Sequence, residues 1–439
     1  MSTAAPIDAT ARSRRNTELG LLILAVLLAV GSYALVGLGV EGSVPAGVAG
    51  YGILLTSGYV GAHLVVRRLA PTADPIFLPV ATLLTGVGFA MIWRLDPDLA
   101  AAQTSWLLFA LGLFALTLFL IRDHRQLDAY TYSIGLLGIA LLLLPILPGI
   151  GQEVRGARLW VDLGPLRFQP AEVGKVLVVI FLASYLNARR ELLSVATRRV
   201  LGIPVPEPKH LAPLLLAWGV SLIVLFMQKD LGSSLLFFGL FVVMLWTATA
   251  RSAYLVLGTM LFAMGAFIAY QTFGHVQDRV TVWLNTLDPE YIQDEAFQVA
   301  QSLFALATGG IAGTGLGEGH PDFIPDAHTD FVFSAIGEEL GLLGSTAILL
   351  LFTILLVRGF RAAIARSDAD GFGQMLAAGL ATILALQTFV IIGGVTRLIP
   401  LTGITLPFVS YGGSSLVANF VLLALLVRVS ATSKGEGEP

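Results

Sequence analysis

The stretch PDAHTDFVFSAIGEELG, residues 325–341, places a cluster of polar side chains at the entrance of an apolar helix. His328, Thr329 and Asp330 come first, and the adjacent acids Glu338 and Glu339 follow inside the apolar run. Acidic side chains within a membrane span are costly, so they usually face a cavity or a partner and mark a functional site. Helix capping by Thr329 or Asp330 explains one of these residues but not the whole cluster. We therefore interpret the stretch as a functional site at the start of a membrane-spanning helix.

The composition is that of an integral membrane protein. Of the 439 residues, 56% are hydrophobic and 13% are charged, whereas soluble domains carry about 25% charged residues. The net charge of −3 provides no basic footprint, so we expect no nucleic-acid partner. Cysteine is absent, which excludes disulfides and cysteine-ligated metals. We find no cleavable signal in the polar segment 1–16, so the first span is expected to remain as an anchor.

Apolar runs long enough to cross a hydrocarbon core of about 30 Å occur at about twelve places. Each span is expected to be helical, because an open strand edge cannot satisfy its backbone groups in lipid. The predicted fold class is therefore all-α, a polytopic membrane protein with about 12 transmembrane helices. The predicted spans lie near residues 18–40, 46–66, 76–93, 104–121, 131–148, 171–187, 211–228, 231–249, 252–273, 331–357, 372–395 and 409–428.

The distribution of Lys and Arg predicts that both termini are cytoplasmic. With the N-terminus inside, 18 of the 26 basic residues fall in inner segments, as the positive-inside rule requires. Several outer basic residues cluster around two outer segments. An anionic ligand at the outer surface would explain them, and so would neutralisation of neighbouring carboxylates. The clustered residues are Arg155, Arg158, Arg167, Lys175 and Arg279.

The outer segment between His275 and Thr329 is too long to be featureless in a compact protein. Apolar residues recur at helical spacing over 295–308, which predicts a short re-entrant or interfacial helix. The glycine-rich sequence GGIAGTGLGEG follows at 309–319. Its backbone amides would suit a phosphate, but no strand precedes it as a nucleotide-binding fold requires. We favour a flexible bend that returns the chain to the surface.

Five motifs together resemble one family, the SEDS proteins (shape, elongation, division and sporulation), that is, RodA and FtsW. The resemblance covers about residues 100–430, and the ending looks more like RodA of high-GC Gram-positive bacteria, the actinobacteria. Ile391 and Lys229 depart from the usual pattern, where Asn and Pro are common. The motifs are RLWVDLGPLRFQPAEVGK at 158–175, KDLGSS at 229–234, QSLFALATGGIAGTGLGEG at 301–319, PDAHTDFVFSAIGEELGLLG at 325–344 and LPFVSYGGSS at 406–415.

The family usually has ten spans, so the resemblance implies two additional helices before the shared core. The expected division has five parts. They are a cytoplasmic tail at 1–16, additional N-terminal transmembrane helices at 17–95, a SEDS core at 96–430, a large extracellular loop at 274–330 within that core, and a disordered cytoplasmic tail at 431–439.

The resemblance implies a peptidoglycan glycosyltransferase that polymerises lipid II at the outer face of the cytoplasmic membrane, for cell elongation and shape. The essential aspartate of the family matches Asp330, which is expected to act as the general base on a sugar hydroxyl. Pyrophosphate leaves without a protonated acid, so a second catalytic carboxyl is unnecessary. Alternatively, Asp330 holds a divalent cation, Mg²⁺ or Mn²⁺, on the pyrophosphate. Candidate substrate contacts are Arg167, Glu172, Lys175, Asp230, Arg279, Gln301, Ser302, His328, Thr329 and Arg397.

The expected partners are membrane lipids, lipid II and a class B penicillin-binding protein that supplies the transpeptidase. Other function classes remain open at this stage. A flippase or transporter of lipid-linked substrate suits twelve spans, but it should carry charge through its whole depth, and here Glu338 and Glu339 are the main charges away from the outer boundary. A scaffold gives no reason for the polar cluster at 328–330, and an oligosaccharide ligase shares the donor chemistry with a different acceptor.

Overall fold

The computed structural model describes residues 5–154, 157–162, 167–194, 198–200, 203–205, 215–216, 218–220, 222–223, 227–366 and 370–431. Helices dominate this part of the chain, as the hydropathy pattern predicts. In chain order they are α1 (Ala5–Glu41), α2 (Val48–Leu69), α3 (Phe77–Leu95), α4 (Pro97–Leu120), α5 (Thr131–Leu143), α6 (Pro170–Ser194), α7 (Leu231–Thr249), α8 (Ser252–Thr272), α9 (Gly274–Leu284), α10 (Phe297–Gly309), α11 (Val332–Ala365), α12 (Gly371–Val395) and α13 (Gly413–Ser430).

Eleven helices in the described ranges are long and apolar enough to cross a membrane, which confirms the prediction of a polytopic helical protein. They coincide with eleven of the twelve predicted spans. Half of the remaining one, at 211–228, lies outside the described residues, as does all but the first residue of the expected tail at 431–439. The predicted helix at 295–308 corresponds to α10. Helix α9 was not predicted, because its many polar residues mask the apolar spacing.

Short strands connect some of the helices, which the sequence analysis did not predict. β1 (Gly151–Val154), β2 (Ala157–Asp162) and β3 (Arg167–Phe168) form an antiparallel sheet ahead of α6, and β4 (Arg198–Val200) pairs with β5 (Ile203–Val205). In the first sheet Val161 opposes Phe168, and the Val161 side chain is fully buried. The alternation that builds this sheet covers only a few residues, too few to stand out from the sequence.

Two compact units make up the chain. Unit 1 contains Met1–Asp123, Thr281–Arg358 and Gln387–Pro439, and unit 2 contains His124–Val280 and Gly359–Leu386. In unit 1, α1 packs along α3, α13 packs along α4, and α2 contacts both α1 and α4. In unit 2, α5 packs on α6, α6 on α7, and α7 on α8.

Small residues allow the helices within each unit to approach closely, as is common between membrane helices. A Cβ atom added to Gly86 of α3 would lie 2.1 Å from Cβ of Ala29 in α1. In unit 2, Phe181 of α6 occupies the space that a side chain at Gly135 of α5 would need. The outward faces of the helices carry large apolar side chains, as expected for surfaces that meet lipid.

Aspartate side chains define where two of the spans begin. Asp96 precedes α4 and accepts hydrogen bonds from the amides of Asp98 (2.9 Å) and Leu99 (3.1 Å), with Pro97 as the first helical residue. Asp230 precedes α7 in the same way and accepts a hydrogen bond from the amide of Ser233 at 2.9 Å. The second of these caps belongs to the motifs that carry the candidate site.

Candidate active site

Helix α11 is broken in its third turn, shortly after the acid pair. Gly341 adopts φ 65° and ψ −163°, which is not helical. In an unbroken helix the carbonyls of Glu338 and Glu339 would accept hydrogen bonds from the amides of Leu342 and Leu343. The break separates these four backbone groups, and in lipid each unsatisfied group would be costly.

The glycine-rich segment 309–319, which we call the glycine loop, satisfies all four groups. Thr314 N donates to the Glu338 carbonyl and Gly315 N to the Glu339 carbonyl, both at 3.0 Å. In the other direction, the amides of Leu342 and Leu343 donate to carbonyls of the loop, at 2.9 and 3.1 Å. The loop therefore completes the broken helix. It packs tightly on α11 and is not the flexible bend that the sequence analysis favoured.

Both acids of the pair accept hydrogen bonds from backbone amides in or directly after this loop. The Glu339 side chain is fully buried, and its carboxylate accepts hydrogen bonds from Gly317 N at 2.9 Å and from Arg94 Nε at 3.2 Å. The Glu338 carboxylate accepts one from His320 N at 3.0 Å. Arg94 also donates to the carbonyl of Gly319 at 2.9 Å. The partners that intramembrane acids require are thus, for this pair, the loop backbone and one arginine.

Arg94 is a site residue that the sequence analysis missed. It is one of the eight basic residues that fall outside the inner segments, and nothing in its local sequence pairs it with an acid so far along the chain. Its outer position, which runs against the positive-inside bias, was the signal that could have identified it as a site residue.

Asp330 lies two residues before α11, in a segment held by the last outer loop. The Tyr411 amide donates to the His328 carbonyl at 2.8 Å, and the Ser410 hydroxyl donates to the Thr329 carbonyl at 2.5 Å. The Asp330 side chain is half-buried, and a Cβ atom added to Gly403 would lie 3.4 Å from its Oδ2. The carboxylate therefore lies where two loops that are distant in sequence meet.

The neighbours of Asp330 mainly hold these loops together. The His328 ring packs edge-on against Tyr411, with ring centroids 5.9 Å apart, and the Thr329 hydroxyl donates to the Asp326 carbonyl at 3.1 Å. Burial, together with the nearby Asp96 carboxylate, raises the pKa of the Tyr411 phenol, so it remains a neutral hydrogen-bond donor. Direct contact of His328 and Thr329 with a substrate stays a prediction.

Arg397 caps the end of α9. Its Nε and Nη2 donate to the carbonyls of Trp283 (2.7 Å) and Leu284 (2.6 Å), and its own carbonyl accepts a hydrogen bond from Trp283 Nε1 at 3.0 Å. A cation at a helix C-terminus is favoured by the helix dipole. This role fixes the guanidinium beside α9, and binding of a phosphate by its remaining nitrogen stays a prediction.

Ser302 and Gln301 lie next to each other on α10 but have different surroundings. The Ser302 hydroxyl is fully buried, 2.6 Å from the Ser334 hydroxyl, and donates to the Val395 carbonyl at 3.1 Å. It therefore joins α10 to α11 and α12 and does not line an open surface. Gln301 is half-buried, and the sugar contact predicted for it is untested.

In unit 2, the predicted pair on α6 forms an ion pair. Lys175 Nζ donates to Glu172 Oε2 at 2.6 Å, and the two side chains are 4% and 12% exposed. Their spacing of three residues places them on one helix face, as predicted. Asp230 lies nearby and is itself buried, and no described residue donates a hydrogen bond to its Oδ2. These three predicted residues are therefore brought together.

Charges of both signs act on this buried acid. Burial raises the pKa of Asp230 above its ordinary value, and hydrogen bonds from Ser233 oppose this shift. The Glu172 charge raises the pKa further, while the Arg279 charge lowers it. The pKa of His275 is lowered first by burial and then by the charges of Arg279 and Lys229, while the Asp278 charge raises it. The cluster thus combines a buried carboxyl with cations that could meet an anionic ligand.

Arg167 lies apart from this cluster in its contacts, on the small sheet. Its side chain is exposed, and Nη2 donates to Gln152 Oε1 at 2.7 Å. Gln152 in turn donates to Asp162 at 2.8 Å. The predicted phosphate contact of Arg167 is untested, and Arg155 lies outside the described residues.

Comparison with known proteins identifies similar chains. Residues 79–435 match the family model of FtsW, RodA and SpoVE, described as cell cycle proteins. The peptidoglycan glycosyltransferase RodA of Mycobacterium tuberculosis is 46% identical over 431 residues, covering 95% of this chain and 91% of that protein. The probable peptidoglycan glycosyltransferase FtsW of Geobacter metallireducens is 33% identical over 374 residues, covering 82% and 96%.

Two solved structures resemble the fold. A chain from a peptidoglycan synthase complex, studied for the coordination of polymerization and crosslinking, gives a TM-score of 0.63 at 29% identity, covering 82% of this chain and 97% of that one. The rod shape determining protein RodA of Thermus thermophilus gives 0.55 at 28% identity, covering 82% and 96%. The family match begins inside α3, so α1 and α2 precede it.

Proposed function

The chain belongs to the FtsW, RodA and SpoVE family of cell cycle proteins, and from this premise we propose that it is a peptidoglycan glycosyltransferase that polymerises lipid II. The similarity of almost the whole chain to a mycobacterial RodA favours a role in cell elongation and shape. The observation that carries the proposal is the position of Asp330, a half-buried carboxylate at the meeting of two loops and at the start of a membrane-spanning helix.

In the proposed reaction Asp330 acts as the general base. It takes the proton from the 4-hydroxyl of the acceptor sugar while that oxygen attacks the anomeric carbon of the donor. The bond between this carbon and the pyrophosphate oxygen breaks, and the pyrophosphate leaves with the electron pair on its lipid carrier. A positioned base contributes typically about 10²–10⁴-fold. Because the leaving group is already a stabilised anion, it requires cations and no protonated acid.

The surroundings of Asp330 suit this role. Hydrogen bonds from the Ser410 hydroxyl and the Tyr411 amide fix the two residues before it, so that the carboxylate is positioned by the fold. Gly403 presents no side chain to Oδ2. A side chain there would crowd the oxygen that has to reach the acceptor hydroxyl.

A divalent cation is the competing role for the same residue. Among the described residues, no group of three or more His, Cys, Asp or Glu side chains is arranged to hold a metal ion. Mg²⁺ at nucleotide and phosphate sites commonly uses one or two carboxylates together with substrate phosphates and water. Asp330 fits that mode, in which Mg²⁺ or Mn²⁺ would neutralise the departing pyrophosphate.

The cations of unit 2 are the proposed phosphate-binding groups. Arg279 acts electrostatically on the buried Asp230, and Lys175 pairs with Glu172 beside it, so we prefer these two cations over Arg167 and Arg397. The last two already donate to a glutamine and to helix carbonyls, so only part of their hydrogen-bonding capacity remains for a phosphate.

We place the protein in the cytoplasmic membrane as a multi-pass protein, with both termini inside and Asp330 at the outer face. A class B penicillin-binding protein is the proposed partner, since a similar chain belongs to a complex that coordinates polymerization and crosslinking. Labelling of single introduced cysteines from outside the cell tests the orientation, and co-purification in mild detergent tests the partner.

The alternative of a flippase draws on the twelve predicted spans, and Glu338 and Glu339 are the main charges below the outer boundary that it could use. Glu339 accepts hydrogen bonds from the glycine loop and from Arg94, and Glu338 accepts one from the amide of His320, which follows the loop. This use of the acids as structural groups weakens the case for a charged path through the membrane. A fluorescent lipid II translocation assay in vesicles separates the two functions.

The test of the proposal compares Asp330→Ala with Asp322→Asn. Asp322 is an exposed acid in the same outer segment, and its 3.9 Å ion pair with Arg94 is of the exposed kind that contributes little, so its variant controls for a local loss of charge. Purified proteins with their partner receive lipid II, and glycan strands are separated on gels. We expect Asp330→Ala to abolish polymerisation and Asp322→Asn to retain it. Polymerisation by Asp330→Ala at the wild-type rate would reject the base and metal roles together.

Chelation distinguishes the two roles of Asp330. If the carboxylate holds a metal, EDTA stops wild-type polymerisation, and added Mn²⁺ or Mg²⁺ restores it. If the carboxylate acts only as a base, the rate is unchanged by EDTA.

A further inference from the structure

We infer that the N-terminal helix α1, which lies before the part of the chain matched to the family, is a positioning element for the glycine loop and thereby for the helix segment that carries Asp330. The effect that we expect on catalysis rests on the proposed function. The effect that we expect on the structure of the glycine loop can be measured without any activity.

The backbones of α1 and the glycine loop are in direct contact. A Cβ atom added to Gly39 of α1 would lie 2.3 Å from the Leu316 carbonyl oxygen and 2.9 Å from Cα of Gly317. In the other direction, a Cβ atom added to Gly317 would lie 2.6 Å from the Val36 carbonyl oxygen and 3.0 Å from Cα of Gly39. Side chains at either position would force the two backbones apart.

The same glycine connects this contact to α11. Gly317 N donates to the buried Glu339 carboxylate, and the neighbouring amides of Thr314 and Gly315 donate to the carbonyls exposed by the break at Gly341. A displacement of Gly317 away from α1 would therefore move a donor away from a buried charge. Loss of a donor to a buried carboxylate is among the more costly changes in a protein interior.

Helix α1 is itself firmly fixed, which allows it to act as a support. Along its length it packs on α3, with Ala29 against Gly86. Near its other end, the buried Glu18 carboxylate lies 2.6 Å from Nδ1 of His63 on α2 and pairs with Arg15. The end of α1 that touches the glycine loop is thus held by contacts elsewhere on the helix.

The first part of α11 is held at both ends as a result. Its start follows Asp330 and is held by Ser410 and Tyr411, while its end at the break is held by the glycine loop. From Val332 to the break is about 12 Å at 1.5 Å per residue. A shift of the loop would tilt this short segment and move the Asp330 carboxylate from its place beside Gly403. Displacements of about 1 Å at a reacting group reduce rates strongly.

The test adds side chains to glycines of α1. Gly39→Ala and Gly39→Leu introduce the clash with the loop, whereas Gly31→Ala is the matched control, because a Cβ atom added to Gly31 meets nothing within 4 Å. Polymerisation of lipid II by the purified full-length chain with its partner gives kcat and KM, normalised to folded protein. We expect Gly39→Leu to lower kcat at least about tenfold, with KM for lipid II little changed, and Gly31→Ala to match the wild type.

Hydrogen exchange supplies the readout that needs no activity. We expect the amides of residues 313–317 to exchange faster in Gly39→Leu than in the wild type and in Gly31→Ala. An unchanged kcat together with unchanged exchange in Gly39→Leu would overturn the inference, and so would equal losses in Gly39→Leu and Gly31→Ala. If the wild type makes no glycan while exchange still responds, the proposed function fails and the contact between α1 and the loop stands.

A second measurement covers the case in which Gly39→Leu does not fold. The chain has no cysteine, so Val40→Cys and Glu318→Cys, both at exposed positions, can be joined by a short bismaleimide in the folded protein. We expect efficient crosslinking with kcat retained. Absence of the crosslink in folded protein, or a crosslinked protein without activity, would contradict the positioning role.

Discussion

Replacement of Lys175 by methionine is expected to destabilise unit 2 through the acid that it leaves behind. Lys175 Nζ donates to Glu172 Oε2 at 2.6 Å, and the two side chains are only 4% and 12% exposed. Methionine keeps most of the volume and removes the charge. The Glu172 carboxylate would then remain beside the buried Asp230 carboxyl without its cation, and that neighbour disfavours a second negative charge.

The magnitude follows from the burial of the pair. Removal of one partner from a buried ion pair typically costs about 3–5 kcal/mol, and the partial exposure of Glu172 places this case near the lower figure. Arg158 and Glu153 form an ion pair of 3.3 Å at 55% and 53% exposure, for which the cost is about 0–1 kcal/mol. For a unit of about 150–250 residues, 1 kcal/mol shifts the unfolding midpoint by about 2–4 °C. We therefore expect a decrease of about 6–12 °C for Lys175→Met and little change for Arg158→Met.

The assay follows tryptophan fluorescence of the detergent-solubilised protein during heating, together with lipid II polymerisation. In the double variant Glu172→Gln/Lys175→Met both charges of the pair are removed together, so the midpoint should recover most of the loss. Polymerisation should stay low in the double variant if Lys175 binds the pyrophosphate, and recover if the pair is only structural. A Lys175→Met midpoint equal to that of Arg158→Met would refute the reasoning from burial.

Two further predictions concern the remaining charged groups of the site. Arg397→Lys keeps the charge but cannot reach both carbonyls at the end of α9, so we expect this variant to have lower thermal stability. If the phosphate requires only the charge, Arg397→Lys should largely retain lipid II polymerisation. Arg397→Ala should lose both stability and polymerisation. Because burial raises the pKa of Asp230, the folded protein retains a proton that the unfolded chain releases at lower pH. Binding of this proton stabilises the folded state, and the stabilisation is lost as the pH rises through the folded pKa. The stability of Asp230→Asn relative to the wild type should therefore increase as the pH is raised from about 4 to about 7, and a pH-independent difference would contradict the shifted pKa.

The membrane spans could be predicted from the sequence because length and apolar composition suffice to identify them. The helix α10 and the pair on α6 could be predicted because both depend on local spacing. The break at Gly341 could not. The sequence around it reads as a continuous helix, and the groups that make the break tolerable come from the glycine loop, which is local neither to Glu338 nor to Leu342.

In the candidate site, too, features that depend on local sequence could be predicted and features that depend on distant residues could not. Asp330 stood out because an acid at a span entrance is unusual in itself. Its contact with Gly403 and the attachment of its segment to Tyr411 depend on how α12 and α13 return the chain, which no local pattern encodes. Arg397 is a candidate substrate contact from the family resemblance, but sequence alone did not reveal that two of its nitrogens donate to the end of α9.

The glycine loop shows why composition alone was ambiguous between a phosphate cradle, a flexible bend and a packing element. Any of these functions excludes side chains, but for different reasons. Here Gly313 faces the Glu339 carbonyl, where an added Cβ atom would lie at 2.2 Å, and Gly317 faces the backbone of α1. A loop pressed between two backbones must omit side chains on both of its faces, whereas a phosphate cradle needs free amides. In this loop the amides of Thr314, Gly315 and Gly317 are already donated to α11. Close packing therefore explains Gly313 and Gly317, whereas Gly310 and Gly315 adopt positive φ values of 51° and 111°. The loop amides that are donated to α11 are not available to a phosphate.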